Sequence, residues 1–164
     1  MQARTRQTCL FASVALGLVV ALASTMPAQP SDSSIGTWKI NLAKSTYAAG
    51  TAPKSVTTKH EVAGAGVKTT VDSVDADGTV RHWTYASNYD GKDNPVTGNC
   101  PYGDSIARTR VDANTTKAIY KNGGTVTAAQ TSVVSSDGKS RTVTTTGTNA
   151  KGQAVRSVVV YDKQ

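Results

Sequence analysis

The side chains of this chain best suited to chemistry are two histidines, a set of aromatic residues and a pair of closely spaced arginines. Trp83 and Tyr85 are two residues apart, as are Arg108 and Arg110, so in extended chain each pair shares one face. With Tyr120 they supply flat apolar surface, a few polar handles and positive charge, the usual lining of a small-molecule pocket. On this reading Trp83, Tyr85, Arg108, Arg110 and Tyr120 are the candidate ligand-binding residues, with the two arginines placed to hold an anion together. The competing assignment for each is a packed barrel core or a solvated outer face.

Other chemistries find less support. His60 and His82, joined by Asp72 or Glu61, invite a metal reading, but their spacing is not a ligand motif. His60 shares a parity with Val56 and Val62, which fits an ordinary core or rim histidine. Asp75-Ala76-Asp77-Gly78 starts like a calcium loop but lacks the later acidic ligands, and a hairpin turn explains it. No serine sits in a Gly-X-Ser-X-Gly elbow. No metal, no cofactor and no catalytic residue is therefore assigned, and the chain is not expected to be an enzyme.

The elements that must position these residues read as strands. Trp38, Ile40 and Leu42 alternate with Thr37, Lys39 and Asn41, giving a half-buried first strand over 36–42 with Trp38 as a plug at one barrel end. Gly36 and Trp38 are the structural positions expected to matter most, Gly36 because it lets the backbone turn in beside the indole. Ala43 to Pro53 reads as an irregular crossing segment. Alternating stretches follow between turns at Gly64-Ala65-Gly66, Asp77-Gly78, Asp90-Gly91, Asn122-Gly123-Gly124, Asp137-Gly138 and Asn149 to Gly152. The segment from Lys92 to Thr97 contains Pro95 and suits only an edge or bridging strand.

Short strands with turn signals and no helix between them predict an all-β fold, an antiparallel up-and-down meander of about eight to ten strands. So long a sheet exposes two edges unless it curls, and pairing the last strand with the first would close it into a barrel. In that pairing Tyr161 and Val160 fall near Trp38, and Val158 near Ile40.

Residues 1–28 read as a cleaved secretory signal: Arg4 and Arg6 precede an apolar run from Leu10 to Ala23 that is too short for a membrane span. The cut is expected after Ala28, with a position near Ala23 as the alternative. A flexible lead-in over 29–35 and a single barrel domain over 36–164 complete the expected organisation. Export to the periplasm or the medium follows, with no stable membrane insertion after cleavage.

Without Arg4 and Arg6, 16 of the 18 Lys and Arg remain against 11 Asp and Glu, a net charge of about +5. These charges are scattered singly, with no basic stripe interleaved with aromatics, so nucleic acid is not an expected partner. Cys9 leaves with the signal and Cys100, in Gly98-Asn99-Cys100-Pro101, then stands alone. An unpaired surface thiol on a monomer is expected, with an intermolecular bridge as the alternative.

The Gly36-Thr37-Trp38 opening of a strand that leads into a meander resembles the Gly-X-Trp start of lipocalins and the wider calycin group. The longer run GTWKINLAKSTY, with VDADG at Val74 to Gly78, YDGKDNPVTGN at Tyr89 to Asn99 and the closing GTNAKGQAVRSVVVYDKQ, is similar to a family of small exported bacterial lipocalin-like proteins. The resemblance implies a lipocalin-like β-barrel but carries no activity. Lipocalins commonly place a basic residue after the last strand, packed over the motif tryptophan, a role for which Lys163 is a candidate. The Arg-X-Tyr pair of fatty-acid-binding proteins is missing, since Ser157-Val158 follows Arg156, and Ala43 to Pro53 is too short for their two-helix lid.

Two functional expectations follow. One is an exported lipocalin-like binding protein holding a small hydrophobic or amphipathic molecule inside the barrel. The other is a solid-core structural or protein-interaction module of the cell envelope. The volume and polarity of the barrel interior separate them.

Overall fold

The structure is a computed structural model that describes residues 32–48, 51–148 and 154–164. The expected signal segment and its cleavage site lie outside the described residues, as do residues 29–31 of the lead-in and the 149–152 turn.

Eleven antiparallel strands form one sheet that curls into a nearly closed barrel. They are β1 (Gly36–Thr46), β2 (Ser55–Ala63), β3 (Gly66–Val74), β4 (Val80–Ser87), β5 (Asp90–Pro95), β6 (Thr97–Gly98), β7 (Ser105–Arg110), β8 (Thr115–Asn122), β9 (Thr125–Val134), β10 (Ser140–Thr148) and β11 (Ala154–Lys163). The two-residue alternation of the sequence is kept almost throughout. Val56, Thr58 and His60 of β2, Val67, Thr69, Val71 and Ser73 of β3, and Trp83, Tyr85 and Ser87 of β4 are buried, while Lys59, Lys68 and His82 are exposed.

The head and tail of the chain do pair, but two residues out from the register expected for Trp38. Trp38 stands opposite Lys163 and Ile40 opposite Tyr161. Strand β1 also runs on to Thr46, across a register break between Asn41 and Thr46, instead of ending at Leu42. Side chains replace the ladder there: Asn41 Oδ1 accepts from the Lys44 N–H, and Ser45 Oγ, donating to the Asn41 carbonyl, accepts from the Val160 N–H.

The seam of the barrel is elsewhere. The strand order β5-β7-β8-β9-β10-β11-β1-β2-β3-β4-β6 leaves β5 and β6 as edges, because β5 pairs with β7 and not with β4. Pro95, which lacks an N–H, interrupts what would otherwise be one strand able to zip β4 to β7. A short stitch takes its place: the Asn99 N–H donates to the His82 carbonyl on one side, and the Val96 N–H donates to the Asp104 carbonyl on the other. Gly98 permits the close approach, with φ +104° and only 2.2 Å between an added Cβ and the His82 carbonyl oxygen.

One end of the barrel is shut by Trp38, which has no exposed surface and donates from Nε1 to the Ser34 carbonyl at 2.7 Å. Asp32 to Ser34, in the expected lead-in, lie across this end. Asp32 accepts from the Ser34 N–H and hydroxyl, from Tyr89 Oη at 2.8 Å and from Arg110 Nη2 at 2.5 Å. Because Tyr89 follows β4 and Arg110 ends β7, this carboxylate bridges the seam. These bonds outweigh the upward push of burial and hold the Asp32 pKa below the ordinary value.

Candidate functional site

The barrel is hollow. Its interior holds a cavity of about 340 Å³, near the lower end of the range for small-molecule sites. The strand pattern explains the space: inward positions include Thr58, Ser73, Thr116, Ala118, Ser132 and Thr145, all small. Aromatic rings make up much of the rest, with Trp83, Tyr85, Tyr120 and Tyr161 on the walls and Tyr47 and Tyr102 on connections at the end where β1 leads to β2. Burial raises the pKa of the Tyr102, Tyr120 and Tyr161 hydroxyls, so they remain protonated.

Four of the five expected ligand-binding residues meet in this cavity: Trp83, Tyr85, Arg108 and Tyr120 all line it and are at most 9% exposed. Arg110 does not. Although it shares a face with Arg108, it lies beyond the shut end, bonded to Asp32 and stacked on Tyr89 at 4.2 Å. The arginine that accompanies Arg108 is Arg141 of β10, also 5% exposed and also lining the cavity. Its sequence signal was parity alone, an arginine in phase with Val143 and Thr145 on a strand whose inward face is otherwise small.

Arg108 and Arg141 set the electrostatics. Neither forms an ion pair among the described residues. Aromatic faces surround them instead. The Arg108 guanidinium is 4.6 Å from the Tyr89 ring centre and 5.8 Å from that of Tyr85; that of Arg141 is 4.6 Å from Tyr161 and 5.5 Å from Trp38. Lys163 also approaches that indole, with Nζ 5.1 Å from the Trp38 ring centre, in the position expected for it. Its stem passes Gly36, where an added Cβ would be 2.8 Å from Lys163 Cε, so the glycine makes room for this lysine.

Such ring contacts return about 0.5–2 kcal/mol each. Burying an unpaired cation costs several kcal/mol. The floor of the cavity therefore keeps uncompensated positive charge, and among the described residues three buried donors of the cavity lining have no acceptor: Arg108 Nη1, Arg141 Nε and Trp83 Nε1. Burial, with the Arg108 charge acting in the same direction, lowers the Arg141 pKa, yet a guanidinium stays protonated in proteins.

His60 is part of this floor and is 3% exposed. Burial, then the charges of Arg141 and Arg108, hold its pKa well below the ordinary histidine value, so it is neutral. Its Nε2 faces Arg141 Nη1, which can only donate, so Nε2 accepts and the proton resides on Nδ1. That Nδ1–H donates to Thr69 Oγ1 at 3.0 Å. His60 thus orients Arg141. His82 lies on the outer face of β4, bonded to Asp72 at 2.7 Å, so the two histidines cannot share an ion. Among the described residues no three His, Cys, Asp or Glu side chains cluster as metal ligands would. Cys100 is free but half-buried, not a surface thiol, and burial raises its pKa.

The fold and this interior together define a class: a nearly closed antiparallel β-barrel around a cavity with an aromatic wall and a cationic floor. In comparisons with known proteins, no family model, curated protein or solved structure matches the chain.

Proposed function

We propose that this is an exported, monomeric, lipocalin-like binding protein that holds a small, partly apolar molecule inside its barrel and performs no catalysis. The observation that carries the reading is the cavity itself, about 340 Å³ of space bounded by tyrosine and tryptophan rings. A solid-core module would have no reason to leave that volume unfilled, since interiors pack densely and voids are costly. Binding without turnover is favoured by the state of the groups that could act as bases. Both ring nitrogens of His60 are engaged, and Asp75 is held by Arg81 Nε at 2.5 Å.

The reading is tested with a neutral apolar fluorophore such as Nile red, titrated with the purified protein and with Ala118→Trp. Ala118 sits on the cavity wall at 8% exposure, and an indole there occupies the space the dye needs. Enhanced emission with the native chain and its loss in the variant are expected. Failure of Nile red and of smaller naphthalene probes alike to bind a native chain that is folded by circular dichroism refutes the reading.

A further inference from the structure

Resting on the binding reading above, we infer that the ligand is a compact organic acid, its carboxylate seated at Arg108 and Arg141 and its flat apolar body against Tyr85, Tyr120 and Tyr161.

Charge is the first ground. Two guanidiniums, each 95% buried, line one cavity, and among the described residues no carboxylate pairs with either. The nearest acid in the cavity wall, Asp75, is committed to Arg81, and Asp32 spends its oxygens on Ser34, Tyr89 and Arg110. Water can accept a hydrogen bond from a guanidinium but cannot cancel its charge; an anion does both.

Hydrogen bonding points the same way. Arg108 Nη1, Arg141 Nε and Trp83 Nε1 are all donors, and all lack an acceptor among the described residues. A ligand that satisfies them must bring acceptor oxygens. His60 adds no further donor, because its one N–H is given to Thr69.

Placement decides the rest of the molecule. Arg108 pairs across the sheet with Ala118 and Arg141 with Tyr161, both toward the end that Trp38 shuts, while Tyr47 and Tyr102 lie on connections at the opposite end. The cavity thus runs from a cationic floor to ring-lined walls. A bare inorganic anion would leave those rings uncovered, and about 340 Å³ is too little for a long acyl chain lying extended.

Isothermal titration with 2-naphthoate, its neutral isostere 2-naphthamide and inorganic phosphate tests this on the unaltered protein. Naphthoate is expected to bind at least about tenfold more tightly than naphthamide and to be unaffected by equimolar phosphate. Arg108→Gln should remove most of that preference, lowering naphthoate affinity far more than naphthamide affinity. Arg108→Lys, which keeps the charge but not the fork, should retain part of it. Naphthamide binding as well as naphthoate overturns the organic-acid inference and leaves the cavity reading standing. Phosphate competing on equal terms overturns the assignment of the rings to the ligand body. If naphthoate, naphthamide and Nile red all fail to bind, the binding reading itself is lost.

Discussion

Arg108 offers an unusual test, because removing it should make the ligand-free protein more stable. No hydrogen bond to another described residue is made by its side chain, the buried Nη1 included, and the residue is 5% exposed. Desolvating such a cation costs several kcal/mol. Against this stand the faces of Tyr89 and Tyr85, worth about 0.5–2 kcal/mol each, and the field of Asp32, whose oxygens are bonded elsewhere. Methionine fills comparable length with no charge and adapts to irregular space. Arg108→Met should therefore stabilise the ligand-free chain by about 1–3 kcal/mol, within the range found when buried charges are replaced by apolar groups. In urea, with a slope of roughly 1–3 kcal/mol/M, this is a midpoint rise on the order of 1 M at unchanged slope. Saturating 2-naphthoate should reverse the order, since it stabilises only the chain that binds it. A lower midpoint for Arg108→Met without ligand refutes the reasoning, because it means that the protein itself already satisfies the charge.

Two further outcomes follow from the same geometry. His60 titrates near pH 6.5 in the unfolded chain but well below that in the fold, so the unfolded state takes up the proton first. Its contribution to stability is complete above about pH 6.5 and is lost as pH falls toward the folded value, by up to ~1.4 kcal/mol per pH unit. Urea midpoints between about pH 7 and 5 should fall less steeply for His60→Gln than for the native chain, and parallel slopes would exclude His60 as the source. Gly98→Ala puts a side chain at φ +104° with its Cβ 2.2 Å from the His82 carbonyl oxygen, breaking the stitch from β6 to β4. A loss of about 3 kcal/mol or more is expected in denaturant, with earlier hydrogen exchange at the Asn99 amide, whereas Gly123→Ala, with nothing within 4 Å, should cost less.

The alternation of the chain was enough to find nearly every strand and its inward face, because a barrel with one wet and one dry side enforces period two. It could not find the seam. Pairing the first strand with the last is indeed present, but a sheet has as many candidate breaks as it has turns, and the break falls where Pro95, Gly98 and Pro101 leave too little regular strand to span from β4 to β7. Register was equally hidden. Trp38 stands two residues from its expected partner, and a separate break after Asn41, where Asn41 and Ser45 side chains take over ladder positions, changes the register again. Polar side chains of this kind read as ordinary surface until the neighbouring strand is known.

The site was legible where one strand sufficed and illegible where several had to be combined. Trp83 and Tyr85 are visible as an aromatic face within β4, and Arg108 as a cation in phase with the buried Ile106. Arg110 has that same phase, yet phase fixes only the side of a sheet and not the height along the barrel: two residues further on, the side chain passes the floor and meets Asp32 instead. Arg141 stands 81 positions from His60, and only the succession of β10, β11, β1 and β2 brings its guanidinium to the imidazole. That succession turns a lone arginine among threonines and a lone histidine among valines into one unit. The neutral ring aims the cation, and burial, reinforced by the cation, keeps the ring neutral. Such a unit is costly to bury for structure alone, which is the physical reason to look for the anion that would complete it.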